Sequence, residues 1–254
     1  MNGIRVERQD GIVRVILQSG RGNPLTPQVL TELNDTFAEL MAAPPRGVIL
    51  DADGSKVFSG GFALPIIAYW DRERIRSFFN EFLQVIHKIL LLPCVTVTAL
   101  EGSAVAAGFI ISLATDFRVV KDEGIKMGLP EVNMGVALPA GARVLFGMRT
   151  SFQKALQYSL SGEIFDPQTA KDIGYATKLS SEPLKDALEF VYYFARKPGN
   201  GVGATKAMAG QDLIDAMKKA DDAFMEDFLD TWFSEVGQNA VQAQAERLKQ
   251  SKKS

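Results

Sequence analysis

Apolar residues recur along this chain at two spacings, and the element each spacing predicts changes with position. Residues 4–8 and 11–18 read as two strands joined through Asp10-Gly11, a hairpin signal. From Thr26 onward Val29, Leu30, Leu33, Phe37, Leu40 and Met41 fall at helical spacing, which predicts a helix with one buried face. Thr26 can cap it, and Pro27 suits the first turn because its missing N–H would have no partner there. Pro44-Pro45 stops it, and residues 47–52 form a short apolar strand. Residues 72–92 predict a long helix that ends at Pro93, followed by a β-branched strand over 94–100 and another over 116–120. Beyond Gly141 the pattern is mostly helical. Asp166-Pro167 starts one helix and Gly174 ends it, and residues 212–233 and 238–249 read as amphipathic helices. Strand–strand–helix units with a helical tail predict an α/β fold. No linker, low-complexity run or close repeat interrupts the chain.

Composition narrows the class. The 254 residues are 46% hydrophobic and 23% charged, as in an ordinary globular domain with at most a small appendage. The net charge is 28 − 30 = −2, so no global positive field favours nucleic acid or an anionic membrane. Cys94 is the lone cysteine, which excludes an intrachain disulfide and suits a reducing compartment. With His87 the only histidine, a His/Cys metal site is excluded as well. The longest apolar stretch, 89–95, contains Pro93 and falls far short of the roughly 20 residues that span a bilayer. Residues 1–7 lack the apolar core of a secretory leader, and Ser251-Lys252-Lys253-Ser254 is not a peroxisomal address. A cytoplasmic enzyme is the expected placement.

Two glycine-rich segments, Phe58-Ser59-Gly60-Gly61 and Gly102 to Gly108, each follow a strand and precede a helix. A helix start exposes unpaired N–H groups and the positive end of the dipole, so two such segments facing one point could hold an oxyanion. Either one alone could equally be a tight turn. The second segment lacks the G-x-G-x-x-G spacing of a dinucleotide loop, and the glycines of 199–206 lack the G-K-S/T of a phosphate loop.

Motifs in register carry a resemblance. Val57-Phe58-Ser59-Gly60-Gly61-Phe62-Ala63-Leu64 resembles the F-S-A-G-x-D-L oxyanion motif of the crotonase superfamily. Gly102-Ser103-Ala104-Val105-Ala106-Ala107-Gly108-Phe109 resembles its G-x-a-x-G-G-G-x segment, with Asp116 at the position of the family's aspartate. Gly128-Leu129-Pro130-Glu131 is similar to the segment bearing the family's catalytic glutamate, and Asn23-Pro24-Leu25 to its N-A-L/M signature. The similarity runs in order from about Ile4 to Lys249. It implies a spiral of ββα units over residues 1–195 and a C-terminal helical trimerisation region over 196–254. It also implies a homotrimer or dimer of trimers in which those helices pack on a neighbour.

The resemblance implies an acyl-coenzyme A thioester as substrate, with no further cofactor and no metal. Phe62 and Ala107 would supply the two oxyanion-hole N–H groups, and Glu131 the acid–base carboxyl. Leu25, Ser59, Gly60, Gly61, Gly108, Ile110 and Pro130 would contact substrate. Hydration in this family resembles a task for two carboxylates, and the position of the first is Ile110, which cannot move a proton. One carboxylate can take a proton from C2 and return it at C4, so the expected reaction is isomerisation of a 3-enoyl-CoA to its trans-2-enoyl-CoA. Gly128-Leu129-Pro130-Glu131 resembles the isomerases' G-L-N-E, and the T-K-A-M at Thr205-Lys206-Ala207-Met208 matches a segment of mitochondrial-type isomerases. From spacing alone Glu131 reads more readily as an exposed helix-start carboxylate than as a catalytic one, and the family position reverses that order.

The chain departs from the family pattern in several places. Ala63 replaces the aspartate after the oxyanion residue, Ala106 and Ala107 replace two of three glycines, and Pro65 replaces a basic residue, leaving Arg21 or Arg72 for the coenzyme A phosphates. These departures keep other readings open: decarboxylation, thioester hydrolysis, hydration, or a catalytically degenerate structural homologue. His87, among Val85, Ile86 and Ile89, reads as a packed or surface histidine, and Cys94 as core.

Overall fold

The computed structural model describes residues 3–250, so Met1, Asn2 and the C-terminal tetrapeptide whose address was considered above lie outside it. The chain opens with β1 (Ile4–Gln9), β2 (Ile12–Leu17), α1 (Pro27–Ala42), β3 (Gly47–Asp51), β4 (Val57–Ser59), α2 (Leu64–Ile67) and α3 (Arg72–Leu91). There follow β5 (Val95–Leu100), β6 (Ser103–Val105), α4 (Ala107–Ala114), β7 (Phe117–Lys121) and β8 (Met127–Gly128), then a 3-10 turn over Glu131–Met134. The last part holds α5 (Ala140–Arg149), α6 (Phe152–Ser161), β9 (Ile164–Phe165), α7 (Pro167–Asp172), β10 (Lys178–Ser180), α8 (Pro183–Ala195), α9 (Gly201–Phe233) and α10 (Glu235–Gln250).

The Asp10-Gly11 turn has φ of 51° and 77°, the two positive angles that a type I′ hairpin needs. Thr26 caps α1 through its side chain, accepting from the Val29 N–H, and Asp71 caps α3 in the same way.

Two sheets form. The larger has the order β1-β2-β3-β5-β7-β10 and the smaller β4-β6-β8-β9. Three successive units, β3–β4, β5–β6 and β7–β8, each place their first strand in the larger sheet and their second in the smaller, parallel to the preceding one. Repetition of that step is the crotonase spiral, and the fold is the α/β architecture the sequence predicts.

Period-2 alternation divides the larger sheet between two cores. Val48 and Leu50 face the main core with α1 and α3, while Ile49 turns to a second core with Val95, Val97, Val119 and, from α8, Ala187 and Val191. Gly47 permits this contact, because a Cβ there would collide with Val191.

One expectation about the C-terminal region needs correction. The penultimate helix starts at Gly201, eleven residues before 212, although its first turns hold Gly201, Gly203 and Gly210. Glycine lowers helix propensity, and here tertiary packing overrides that cost. A Cβ on Gly203 would sit 2.5 Å from the Pro93 carbonyl oxygen, and one on Gly210 2.6 Å from that of Leu90, so the glycines let α9 lie directly on the end of α3. Within the chain, α9 carries Leu213, Ile214, Met217, Phe228 and Trp232 into the main core, and α10 adds Val241 and Ala245.

The start of α9 is also fixed by charge. The Lys206 ammonium lies 2.8 Å from Asp116 Oδ2 and donates to the Cys94 carbonyl and Thr96 Oγ1, each at 3.0 Å. Two residues noted separately in the sequence thereby become one pair, with the Lys206 side chain buried and Asp116 partly buried. Replacing Lys206 with Met leaves the Asp116 carboxylate unpaired and is expected to cost about 3–5 kcal/mol of unfolding free energy, read from urea titration. A loss under about 1 kcal/mol would show that the pair does not anchor α9.

Candidate active site

The loop after β4 is held from behind by the segment before α1. The Gly60 N–H donates to the Gly22 carbonyl at 2.9 Å, Leu25 N–H to the Gly61 carbonyl at 2.9 Å, and Ala63 N–H to the Leu25 carbonyl at 3.1 Å. The buried Ser59 hydroxyl donates to the Asn23 carbonyl at 2.8 Å and accepts from the Gly61 N–H at 3.2 Å. In a trans peptide, C=O and the next N–H point opposite ways. The Gly61 carbonyl points at Leu25, so the Phe62 N–H points away from it.

The second loop delivers Ala107 as the first residue of α4, where a helix N–H has no partner within the helix. Ala106 precedes it at φ 54°, ψ −130°, a region costly for any residue with a Cβ. The two loops touch: a Cβ on Gly61, at φ 91°, would lie 2.9 Å from Ala106 Cβ and 3.2 Å from the Ala107 nitrogen. Gly108 has no room for a side chain because Ser59 is packed against it. Neither the Phe62 nor the Ala107 N–H has an acceptor among the described residues.

Both residues line a cavity of about 310 Å³. Gly60, Ile110, Pro130 and Glu131 line it too, joined by Leu64, Phe79, Val105, Met134, Val136, Phe228, Trp232 and Leu248. Leu25, Ser59, Gly61 and Gly108, expected to touch substrate, form the scaffold behind the wall instead. Leu25 and Ser59 are fully buried, and the hydrogen bonds above account for their backbone and hydroxyl groups.

Glu131 opens the 3-10 turn that follows β8, set by Gly128 at φ 151° and Pro130. The exposed reading of this carboxylate fails. Oε2 is buried and has no hydrogen-bond partner among the described residues. Burial disfavours the charged form and raises the carboxyl from its usual range to about 7. It is the one ionisable side chain among the lining residues described. A carboxyl of that pKa, in an apolar cavity beside two unspent N–H donors, can exchange a proton with an acidified carbon near neutral pH.

Sequence reasoning missed the aromatic wall. Phe62 packs edge-on against Phe78, Phe79 and Phe82 at 4.8–5.0 Å between centroids, and Phe79 meets Phe228 at 4.5 Å. The spacing of Phe228 and Trp232, one helical turn apart, reads only as a buried stripe. Arg72, one residue considered for coenzyme A phosphates, is instead paired with Glu226 and Asp230 of α9, each at 2.7 Å. Arg21 is exposed in the turn before Gly22. His87 is buried enough to hold its pKa down to about 4 beside Lys218, and Cys94 is buried core with its thiol raised to about 11. No cluster of potential metal ligands occurs among the described residues, and none of their helices is long and apolar enough to cross a membrane.

The strain at Ala106 yields a prediction. Replacing it with Gly relieves roughly 1–3 kcal/mol of backbone strain against about 0.4–1 kcal/mol of added unfolded-state freedom. The expected result is a net gain of about 1 kcal/mol in denaturant unfolding; a loss would show that the conformation is unstrained.

Comparison with known proteins agrees with this geometry. The family model for enoyl-CoA hydratase/isomerase matches residues 7–253. A putative enoyl-CoA hydratase from Thermus thermophilus is 27% identical over 85% of this chain and 88% of its own length. The human mitochondrial enoyl-CoA delta isomerase 1 is 24% identical over 91% of this chain and 78% of its own. Among solved structures, human mitochondrial delta3-delta2-enoyl-CoA isomerase superposes with a TM-score of 0.90 at 23% identity, covering 98% of this chain and 99% of that one. An enoyl-CoA hydratase/isomerase from Mycobacterium paratuberculosis superposes at 0.87 with 17% identity, over 96% and 98% of the two chains. A family match across nearly the whole chain, on a spiral that brings both glycine loops to one glutamate with a buried carboxyl oxygen, makes this protein a member of the enoyl-CoA hydratase/isomerase family.

Proposed function

We propose that the chain isomerises a 3-enoyl-CoA to its trans-2-enoyl-CoA. The observation that carries this reading is the single ionisable group of the cavity: Glu131 lines it together with Ile110, where the sequence resemblance places a hydratase's other carboxylate. The thioester oxygen would accept from the Phe62 and Ala107 N–H groups. Charge on that oxygen grows as C2 loses its proton, so the two bonds strengthen toward the transition state, each worth about 3–4 kcal/mol. The Glu131 carboxylate takes the C2 proton, the double bond moves, and the carboxylic acid returns the proton at C4. The coenzyme A thioester is the substrate, and this chemistry calls for no other cofactor. A hydrating enzyme needs a second group to orient and deprotonate water, and Ile110 offers none.

The same reading takes the protein to be cytoplasmic and a homotrimer or dimer of trimers. Support for assembly comes from Phe152, Leu156 and Leu160, exposed at successive turns of α6 beside the exposed Met148.

Incubation with 3-hexenoyl-CoA should give 2-hexenoyl-CoA without mass change, and 2-hexenoyl-CoA should gain no water. A gain of water would make the enzyme a hydratase, and loss of carbon dioxide or of free coenzyme A from a suitable thioester would bring the other family reactions forward. Glu131→Gln should lower kcat by about 10²–10⁴-fold, and unaltered turnover would remove Glu131 from the chemistry. The base must be ionised in the free enzyme, so kcat/KM should fall about tenfold per unit below pH 7 and level off above it. A profile flat down to about pH 5 would contradict a buried base with a raised pKa.

A further inference from the structure

Glu131 stands on a short turn with few hydrogen bonds of its own. Asn133 N–H donates to the Pro130 carbonyl and Gly135 N–H to that of Val132, each at 3.0 Å, and Val136 N–H to that of Glu131 at 3.3 Å. A single 3-10 turn lacks the repeated ladder of a long helix, so its orientation must come from outside it. No partner among the described residues holds Oε2 of the carboxyl, so its aim follows the backbone beneath it. Two side chains tie that backbone to the rest of the molecule. Asn133 Nδ2 donates to the Gly162 carbonyl at 2.9 Å, which joins the turn to the end of α6. On the other side, the Ala137 N–H donates to Thr231 Oγ1 of α9, 94 residues further on, at 2.9 Å. The Thr231 hydroxyl itself donates to the Phe228 carbonyl at 2.7 Å, which uses its one proton and leaves a lone pair for Ala137. The corner around Thr231 is braced: its carbonyl accepts from Ser234 Oγ at 2.7 Å, and that oxygen accepts from the Gly237 N–H at 3.0 Å. The start of α10 also covers the turn, since a Cβ on Gly135 would lie 3.0 Å from Val236 Cγ1.

We propose that Thr231 is a positioning residue for the reaction: its hydroxyl holds the Ala137 N–H and, through the Val136–Glu131 hydrogen bond, sets where the Glu131 carboxyl stands beside the Phe62 and Ala107 N–H groups. The inference rests on the reading of Glu131 as the base. Thr231 does not line the cavity, although its neighbours Phe228 and Trp232 do, so it acts through the turn and not on the substrate. Proton transfer is sensitive to such placement, and a shift of about 1 Å can cost about 10²-fold in rate. Substrate affinity depends on other groups. The thioester oxygen would be held by the Phe62 and Ala107 N–H groups and the acyl chain by the apolar wall, none of which the Ala137 bond supports. Losing that bond therefore slows the reaction and leaves binding in place.

Thr231→Val keeps the shape of the side chain and removes the acceptor. It should lower kcat for 3-hexenoyl-CoA by about 10–100-fold. Calorimetric titration of the same variant with hexanoyl-CoA, which cannot isomerise, should give an affinity within about twofold of the native chain and the same number of sites per chain. Thr231→Ser restores the acceptor and should return kcat to within about threefold of the native value. Thr231→Ala removes the hydroxyl without adding bulk and carries the same expectation if Thr231→Val does not fold. Native kcat in the variant lacking the hydroxyl would overturn the inference. So would a loss of kcat matched by an equal loss of binding sites, or a serine variant as slow as the valine one. If Glu131→Gln is inactive, any of these results leaves the isomerase reading standing. Unaltered turnover in Glu131→Gln would overturn both, because the turn would then position nothing that reacts.

Discussion

The site depends on the contact between two strand-to-helix loops. A Cβ on Gly61 would lie 2.9 Å from Ala106 Cβ and 3.2 Å from the Ala107 nitrogen, so the loops that carry the Phe62 and Ala107 N–H groups can come this close only with glycine at 61. Hydrogen bonds from Gly60, Leu25 and Ala63, with the Ser59 hydroxyl, clamp the first loop to the segment before α1. The alternation of strands between two sheets brings the loops together, since β4 and β6 are neighbours in the smaller sheet. Backbone donors held this way need no reorganisation as charge develops on a bound oxygen.

Burial then determines the chemistry available. The Glu131 carboxyl lies where its ionised form is disfavoured, among Phe62, Ile110, Met134 and Trp232 on the cavity wall. The same desolvation that raises its pKa to about 7 makes it a stronger base than an exposed carboxylate and an effective acid once it has taken a proton. Phe228 and Trp232 reach that wall because α9 lies flat on α3, an arrangement that depends on Gly203, Gly210 and the Lys206–Asp116 pair. Helices far along the chain therefore complete the cavity begun by the first half.

Much of this was legible in the sequence, for reasons that differ by element. The capping Thr26, the Asp10-Gly11 turn and the alternating strands express local rules, and each element stands where those rules put it. Phe62, Ala107, Ile110 and Glu131 could be located because their motifs are short and keep a fixed order. The roles of Leu25, Ser59, Gly61 and Gly108 were less legible, since whether a residue lines a cavity or braces the loop behind it depends on backbone direction. The early start of α9 was hidden because its glycines answer to the distant Pro93 and Leu90 carbonyls. The burial of Glu131 was not readable either, because helices more than ninety residues away supply part of the wall.

The most direct test of the single-carboxyl account follows the proton itself. A 3-hexenoyl-CoA labelled with deuterium at C2 would be converted in ordinary water and the product analysed by proton NMR. If Glu131 alone moves the proton within an apolar cavity, a substantial part of the deuterium should appear at C4. Complete loss of that deuterium to solvent, with C4 carrying only protons from water, would contradict transfer by one buried carboxyl.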